Sequence, residues 1–227
     1  MKNNTATTLT ISEGICLVDK PKGKTSFSLV SALRRITGIS KIGHAGTLDP
    51  FATGLMVMLI GSTHTKLSNH YISQEKEYWC QMRLGITTDT YDCEGKMTNV
   101  SDKVPTLEEL EVAIQQFQGA ILQTPPMFSA KKVQGQKLYH LARRGIEIER
   151  KPALVTVKTT LISYNYPFVE LSVVCSKGTY VRSIAYDIGK LLGCGAHLSD
   201  LRRLRCGKYD LSQAIDGTLL YEDRSQS

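Results

Sequence analysis

The sequence predicts an α+β fold built on a central mixed, mainly antiparallel sheet flanked by helices, and three observations carry that expectation. Short strand-like runs and amphipathic helical stretches are mixed along the chain without the strict alternation of a parallel βαβ array. One pair of strand-like runs stands around Pro167. The 227 residues are 41% hydrophobic, ample for a sizeable buried core. No repeat, low-complexity block or Pro/Gly/Ser-rich linker divides them, so a single domain over residues 1–227 is expected.

The elements follow in order. Gly14 to Val18 is apolar and strand-like, and it runs into the Pro/Gly-punctuated turn Asp19-Lys20-Pro21-Lys22-Gly23-Lys24-Thr25-Ser26. A helix is predicted from about Ser26 to Ile36, because Phe27, Val30 and Leu33 fall on one face. Thr25 or Ser26 stands ready to cap it, and Gly38 lies just past its end. Leu55 to Ile60 is a continuous apolar run closed by Gly61, the length of a buried strand, whereas Glu77 to Leu84 alternates as a strand with one wetter face. Thr106 to Phe117 is an amphipathic helix opened by the capping box Thr106-Leu107-Glu108-Glu109, which puts acid at the positive end of the helix dipole. Val155 to Tyr164 and Phe168 to Cys175 form the strand pair, and Val181, Ile184, Ala185, Ile188, Leu191 and Leu192 are the stripe of a last helix.

Bulk properties exclude several classes. Six cysteines are scattered with no C-x-x-C pair and no His/Cys cluster at ligand spacing, so neither a zinc site nor a disulfide framework is expected. Met1 to Thr10 is polar and Thr-rich, unlike a secretion signal, and no segment approaches the ~18 apolar residues of a membrane helix. A reducing cytoplasm is the expected location. The formal charge of +7 favours a polyanionic partner, although simple solubility explains it as well.

Three stretches carry chemistry. Asp49 sits in Gly43-His44-Ala45-Gly46-Thr47-Leu48-Asp49-Pro50, where the glycines permit close approach and Pro50 biases the Asp49 backbone toward the extended region. Taken alone, an Asp-Pro pair also serves simply to start a turn. In Cys175-Ser176-Lys177-Gly178-Thr179-Tyr180-Val181-Arg182-Ser183 a strand turns through Gly178 into a helix beginning near Thr179, which puts Arg182 in the first helical turn. A cation is disfavoured there by a few tenths to ~1 kcal/mol, so a bound anion would help account for it; a solvated surface arginine is the plainer reading. Between Thr124 and Gly145, Phe128 and Tyr139 stand among Lys131, Lys132, Lys137, Arg143 and Arg144, a composition suited to phosphate contacts and base stacking and shared by solvated basic loops. Leu201-Arg202-Arg203-Leu204-Arg205 adds a basic stripe interleaved with leucines, which a half-buried strand with a solvated face also explains.

Four segments together resemble the TruB family of tRNA pseudouridine synthases: Asp19-Lys20-Pro21 with Gly23 and Thr25-Ser26, Gly43 through Pro50, Thr124 through Tyr139, and Ser176 through Arg182. Gly193-Cys194-Gly195-Ala196-His197 and Leu201-Arg202-Arg203-Leu204 add to the resemblance, which runs from Gly14 to about Tyr209. It implies the pseudouridine synthase fold and isomerisation of the T-loop uridine of tRNA, uridine-55, to pseudouridine. No metal or organic cofactor and no obligate protein partner is implied. By the same resemblance Asp49 matches the catalytic aspartate, Tyr78 in Lys76-Glu77-Tyr78 the tyrosine that contacts the base, and Arg182 the arginine that pairs with the aspartate. His44 would lie near the flipped nucleotide and Leu201 would help line the pocket. Lys20 would support the active-site loop, Tyr180 would pack under the site, and residues from about Gln123 to Lys151 correspond to the RNA-gripping insertion, with Lys131, Lys132, Lys137, Arg143 and Arg144 on phosphates. Many family members continue into a C-terminal RNA-binding domain, often of the PUA type; with the sequence ending at Ser227, that domain is not expected.

The residue types fit the reaction. Breaking and remaking a glycosidic bond calls for a fixed nucleophile with no need to activate water, and a carboxylate with a reference pKa of about 3.9 is ionised at neutral pH. A stacked base cannot reach it, so the nucleotide must be extruded at a cost of a few kcal/mol. The competing classes are a non-catalytic RNA-binding module, such as a tRNA-folding chaperone on the same scaffold, and a nucleoside or glycoside hydrolase, for which no second carboxylate is recognisably placed.

Overall fold

In a computed structural model of the chain, residues 11–129, 131–133 and 135–222 are described, and the side chains of Lys132 and Lys137 are not. The N-terminal stretch Met1 to Thr10 lies outside the described residues. The chain divides into two compact units, one of residues 11–72 and 209–222 and the other Ser73–Lys208.

The first unit opens with strand β1 (Gly14–Lys20), helix α1 (Ser26–Thr37), β2 (Ile42–His44), β3 (Thr53–Ile60) and two short helices, α2 (Ser62–Lys66) and α3 (Ser68–Ile72). Helix α1 starts and stops as its caps dictate: Thr25 accepts a bond from the Ser28 amide at 3.0 Å, and Gly38 takes a left-handed φ of 70° past the last turn. Its buried face is Ser26, Leu29, Val30, Ala32 and Leu33. Phe27, expected on that face, is 64% exposed, because the helix presents the 26-29-30-33 row inward and leaves the neighbouring row to solvent. Strand β3 is buried from Gly54 to Ile60, as its unbroken apolar run requires, with β1 antiparallel to it from Gly14↔Ile60 to Lys20↔Gly54. Strand β2 also pairs with β3, placing His44 opposite Met58.

The second unit comprises β4 (Lys76–Leu84), β5 (Ile86–Thr88), β6 (Met97–Val100), α4 (Leu107–Gln115), β7 (Gln118–Gln123), β8 (Lys132–Val133), β9 (Gln136–Lys137), α5 (Leu138–Arg143), β10 (Ala153–Asn165), β11 (Phe168–Cys175), α6 (Val181–Leu192) and β12 (Ala196–Cys206). Its sheet runs β12-β4-β11-β10-β7, antiparallel throughout, with the β10–β11 hairpin closing at a cis Tyr166–Pro167 bond. Strand β4 alternates as expected, burying Lys76, Tyr78, Cys80, Met82 and Leu84. Helix α4 carries both bonds of its capping box, Glu109 amide to Thr106 Oγ1 at 3.2 Å and Thr106 amide to Glu109 Oε2 at 2.8 Å. Helix α6 ends on Gly193 and lies hard against the start of β12, where a side chain at Gly189 would collide with the Ala196 backbone. After β12 the chain returns to the first unit through β13 (Tyr209–Asp210) and β14 (Ile215–Asp216), the latter parallel to β1.

The fold is thus α+β with a mixed sheet: of the described strand pairs β1–β14 is parallel and the others above are antiparallel, and an isolated parallel bridge joins Asp92 to Leu198. Strand β7 went unread in the sequence, since Gln118-Gly119-Ala120-Ile121-Leu122-Gln123 has little apolar alternation; its pairing with β10 makes it a strand. Among the described residues no helix is long and apolar enough to cross a membrane.

Candidate active site

In the first unit, the two sequence motifs, Asp19 to Ser26 and Gly43 to Pro50, lock together. Lys20 is fully buried, and its ammonium donates to the carbonyls of Pro21 and Lys24 and to that of Pro50 at 3.0 Å. The Gly23 amide donates to the same Pro50 carbonyl at 2.8 Å. On the other side of Asp49, the buried Ser26 hydroxyl accepts from the Leu48 amide at 2.9 Å and donates to the Leu48 carbonyl at 3.0 Å. The residues before and after Asp49 are therefore both tied to the Lys20–Ser26 turn. A turn bond from the Ala52 amide to the Asp49 carbonyl, 3.1 Å, completes the seat. Gly46 and Gly54 adopt φ of 102° and 100°, a region other residues enter at a cost, which is why this loop needs glycine at its bends. Asp49 itself is only partly covered, as is His44 at the end of β2.

In the second unit, Arg182 occupies the first turn of α6 with 5% exposure. Its Nη1 lies 3.2 Å from the carboxylate of Asp92, itself buried, and donates to the Thr90 carbonyl at 2.8 Å; Nη2 donates to the Phe128 carbonyl at 2.9 Å. The anion expected beside this cation is therefore supplied, at least in part, by the protein. A pair so buried persists only when its remaining hydrogen-bonding positions are filled. For Asp92 they are: Oδ1 accepts from Thr90 Oγ1 at 2.6 Å and from the Glu94 amide at 3.0 Å, and Thr88 Oγ1 holds its carbonyl at 2.7 Å. Just before it, Tyr91 has a φ of 65°, a strained conformation costing on the order of 1–3 kcal/mol that aims Asp92 at the guanidinium. Asp92 was missed in the sequence. The signal was there in Thr88-Asp89-Thr90-Tyr91-Asp92 with Gly95, a turn dense in residues that bond their own backbone.

The start of α6 is fixed by Gln123, the buried last residue of β7. Its amide accepts from the Tyr180 N–H at 2.8 Å and donates to the Tyr180 carbonyl at 3.0 Å, replacing the side-chain cap this helix lacks. Tyr78 is 8% exposed, opposite Arg203 of β12, and its hydroxyl is hydrogen-bonded by that guanidinium. Burial pushes the Tyr78 phenol up and the Arg203 charge pulls it part of the way back, so the group stays neutral at physiological pH. Leu201, two residues before Arg203 and opposite Cys80, is 5% exposed. The basic stripe of β12 is thus not a solvated face: Arg203 is 1% exposed, while Arg205 reaches out to Glu77 and Glu75 at 3.0 and 2.9 Å.

The residues assigned to phosphates lie on the segment between β7 and β10. Arg143 and Arg144 are exposed at the end of α5, the former with its guanidinium 5.6 Å from the centre of the Tyr139 ring, and Lys131 is half-buried. Lys132 and Lys137 face each other in the β8–β9 pairing, and their side chains lie outside the described residues. Among the described residues no three His, Cys, Asp or Glu side chains gather as a metal site would require.

The sequence model for "TruB family pseudouridylate synthase (N terminal domain)" matches residues 34–181, and that for "tRNA pseudouridylate synthase B C-terminal domain" matches residues 182–222. The tRNA pseudouridine synthase B of Protochlamydia amoebophila is 56% identical over 209 residues, covering 92% of this chain and 80% of the relative. That of Chlamydia trachomatis serovar L2 is 59% identical over 210 residues (92% and 87%), and that of Clostridium tetani 42% over 215 residues (94% and 74%). Among solved structures, a Cbf5-Nop10-Gar1 complex is similar with a TM-score of 0.67 and 28% identity over 87% of this chain and 50% of that one. An archaeal box H/ACA sRNP Nop10-Cbf5 complex has a TM-score of 0.67 and 25% identity over 91% and 52%. This chain spans about half the length of those two structural relatives. The chain belongs to the TruB family of pseudouridylate synthases and is, by that membership, an isomerase.

Proposed function

We propose that this enzyme converts the T-loop uridine of tRNA, uridine-55, to pseudouridine, acting in the cytoplasm, with Asp49 as nucleophile and both units working as one catalytic domain. The observation that carries the reading is the seat of Asp49. The Asp49 carboxylate is flanked by residues pinned on both sides, with a following proline that biases its backbone away from the helical region and with the residue left partly exposed. A nucleophile that needs no activation gains most from such fixing, since its orientation is settled before the substrate arrives.

Each remaining residue has a part that its chemistry suits. Arg182 offsets the charge of Asp49, and its own position is kept by Asp92, Thr90 and Phe128. Tyr78, a neutral phenol on a buried ring, supports the extruded base by its face, a contact that tolerates rotation of the detached ring. Leu201 and His44 line the space around the nucleotide. Binding energy for extrusion comes from the segment 123–151, where Lys131, Lys132, Lys137, Arg143 and Arg144 engage phosphates of the T arm.

The test is nucleotide-resolution mapping of pseudouridine in unmodified tRNA treated with the wild type and with Asp49→Ala. Product at the T-loop uridine with the wild type and none with the variant is expected. Equal modification by both would sink the assignment of Asp49, and product elsewhere in the tRNA would sink that of the site. An Asp49→Ala protein that binds tRNA without modifying it also separates this reading from a purely chaperoning one.

A further inference from the structure

Arg182 is bracketed by the stretch that leads out of β7. Two residues before it, Tyr180 is held by Gln123, whose side-chain carbonyl accepts from the Tyr180 N–H at 2.8 Å and whose side-chain nitrogen donates to the Tyr180 carbonyl at 3.0 Å. One residue after it, the Ser183 hydroxyl donates to the Thr124 carbonyl at 3.3 Å. The guanidinium itself donates to the Phe128 carbonyl at 2.9 Å. The backbone on both sides of Arg182 and one end of its side chain are thus tied to residues 123–128, in addition to the Thr90 carbonyl and the Asp92 carboxylate.

The Gln123 clasp acts at the point where α6 begins. The Tyr180 carbonyl accepts from the Ser183 and Ile184 amides at 3.1 and 3.3 Å, and Tyr180 brings no side-chain cap of its own. A helix start leaves backbone N–H groups without partners inside the helix, and a capping side chain from the helix entry commonly takes one of them. Here an amide from another strand takes the N–H and the carbonyl of Tyr180 together. A planar amide joined through both its oxygen and its nitrogen fixes orientation as well as distance. Gln123 is 3% exposed and stands opposite Ala153 in the β7–β10 pairing, so the clasp is anchored in the sheet where the two ends of the insertion meet. Burying an amide is costly unless its polar atoms are bonded, and an apolar side chain would fill the place without that requirement. Ile121, two residues earlier on the same face of β7, is such a side chain. Gln118, at the opposite end of β7, supplies an internal comparison. It makes the same kind of clasp on Thr159 of β10, donating to the Thr159 carbonyl and accepting from the Thr159 N–H at 3.3 Å. Two glutamines of one strand each grip one backbone residue twice, and Gln123 is the one whose grip falls on the start of α6.

We propose that Gln123 is a positioning residue for the reaction: by holding Tyr180 at both its N–H and its carbonyl, it sets the first turn of α6 and with it the place of the Arg182 guanidinium. This rests on the role given above to Arg182. Gln123 touches neither the base nor the reacting carboxylate in this scheme. Its effect falls on the rate of the chemical step in bound RNA, and not on binding.

The experiment is single-turnover pseudouridine formation on unmodified tRNA, with tRNA affinity measured separately, for the full chain as wild type, Gln123→Leu, Gln123→Glu and Gln118→Leu. Gln123→Leu keeps a side chain of similar size and removes both bonds. It is expected to lower the saturating rate by about tenfold or more while leaving affinity within about threefold. Gln123→Glu keeps the oxygen that accepts from the Tyr180 N–H and loses the donor, so its rate should fall between those of the wild type and Gln123→Leu. Gln118→Leu, which loses the matching clasp on Thr159, should stay within about twofold of the wild-type rate. A wild-type saturating rate in Gln123→Leu would overturn the proposal, and a weakened affinity with an unchanged rate would make Gln123 part of the RNA grip and overturn it too. An equal loss of rate in Gln118→Leu would reduce the effect to general destabilisation of β7. If Gln123→Leu does not fold, a wild-type rate in Gln123→Glu overturns the proposal on its own. Arg182→Ala keeps the underlying reading separate. A wild-type rate there would refute the role of Arg182, whereas a slow Arg182→Ala beside a wild-type Gln123→Leu would refute the positioning role alone. On the residual rate of Arg182→Ala, Gln123→Leu should impose no further loss; additive losses would mean that Gln123 does not act through Arg182.

Discussion

The loop carrying Asp49 and the seat of Arg182 are built by different means. Around Asp49 the described fixing is done through the main chain: Ser26 and Gly23 bond the backbone of Leu48 and Pro50, and the Lys20 ammonium donates to three carbonyls. Around Arg182 the fixing is ionic and borrowed from distant segments, with a buried carboxylate at Asp92 aimed by a strained Tyr91. The difference teaches that a carboxylate is kept accessible by constraining its neighbours, whereas a cation tolerates near-complete burial provided a partner is buried with it. It also implies that the two seats fail differently when perturbed.

The largest effect is expected at the ionic seat. Asp92→Ala takes the Asp92 carboxylate away from a buried guanidinium, and removing one partner of such a pair typically costs about 3–5 kcal/mol. Urea denaturation should record that loss together with a collapse of isomerisation; an Asp92→Ala protein as stable as the wild type would show that the Arg182 seat does not depend on charge. Next comes the buried lysine. Lys20→Met preserves the volume and leaves the Pro50, Pro21 and Lys24 carbonyls without that donor, a loss of about 2–3 kcal/mol, with the saturating rate falling further than tRNA affinity as Asp49 loses its aim. An unchanged rate in a destabilised Lys20→Met would separate the loop's stability from its chemistry.

The smallest effect sets α6, the helix that carries Arg182, against the Asp49 loop by pH. Burial pushes the half-buried Asp187 carboxyl of α6 up to about 6 from its ordinary 3.8. Because the folded-state value is the higher one, the stabilising contribution of the protonated acid is present below about pH 4 and lost as the pH rises through about 6. Asp187→Asn should therefore gain on the order of 1 kcal/mol near pH 7.5, after allowance for solvent screening, and nothing near pH 4. Ser26→Ala, which removes the hydroxyl bonded to the Leu48 backbone, should cost about 1 kcal/mol at both pH values, as measured by thermal melts. A pH-independent gain from Asp187→Asn would break the contrast.

How much of this was legible in the sequence depends on how local the cause was. Helix α1 followed from Thr25, its apolar spacing and Gly38, all within one short stretch, and the same holds for the α4 capping box. The two motifs around Asp49 were visible as turn chemistry, and Lys20 was read as support for the loop, which its bond to Pro50 bears out. What stayed hidden was set by partners far along the chain. Arg203 looked like part of a solvated stripe because nothing near it announces Tyr78, which meets it only through the β4–β12 register. Asp92 looked like an ordinary polar turn because the cation it serves lies ninety residues further on.

The most direct test of the Asp49 assignment is the single-turnover rate of Asp49→Asn on unmodified tRNA, alongside its affinity for that tRNA. The substitution is nearly isosteric, and the bonds that tie Leu48 and Pro50 to the Lys20–Ser26 turn do not involve the Asp49 side chain, so they are kept while the negative charge is removed. The expected result is wild-type affinity, within about threefold, with pseudouridine formation slowed by at least about a thousandfold. A rate within about tenfold of the wild type would contradict it.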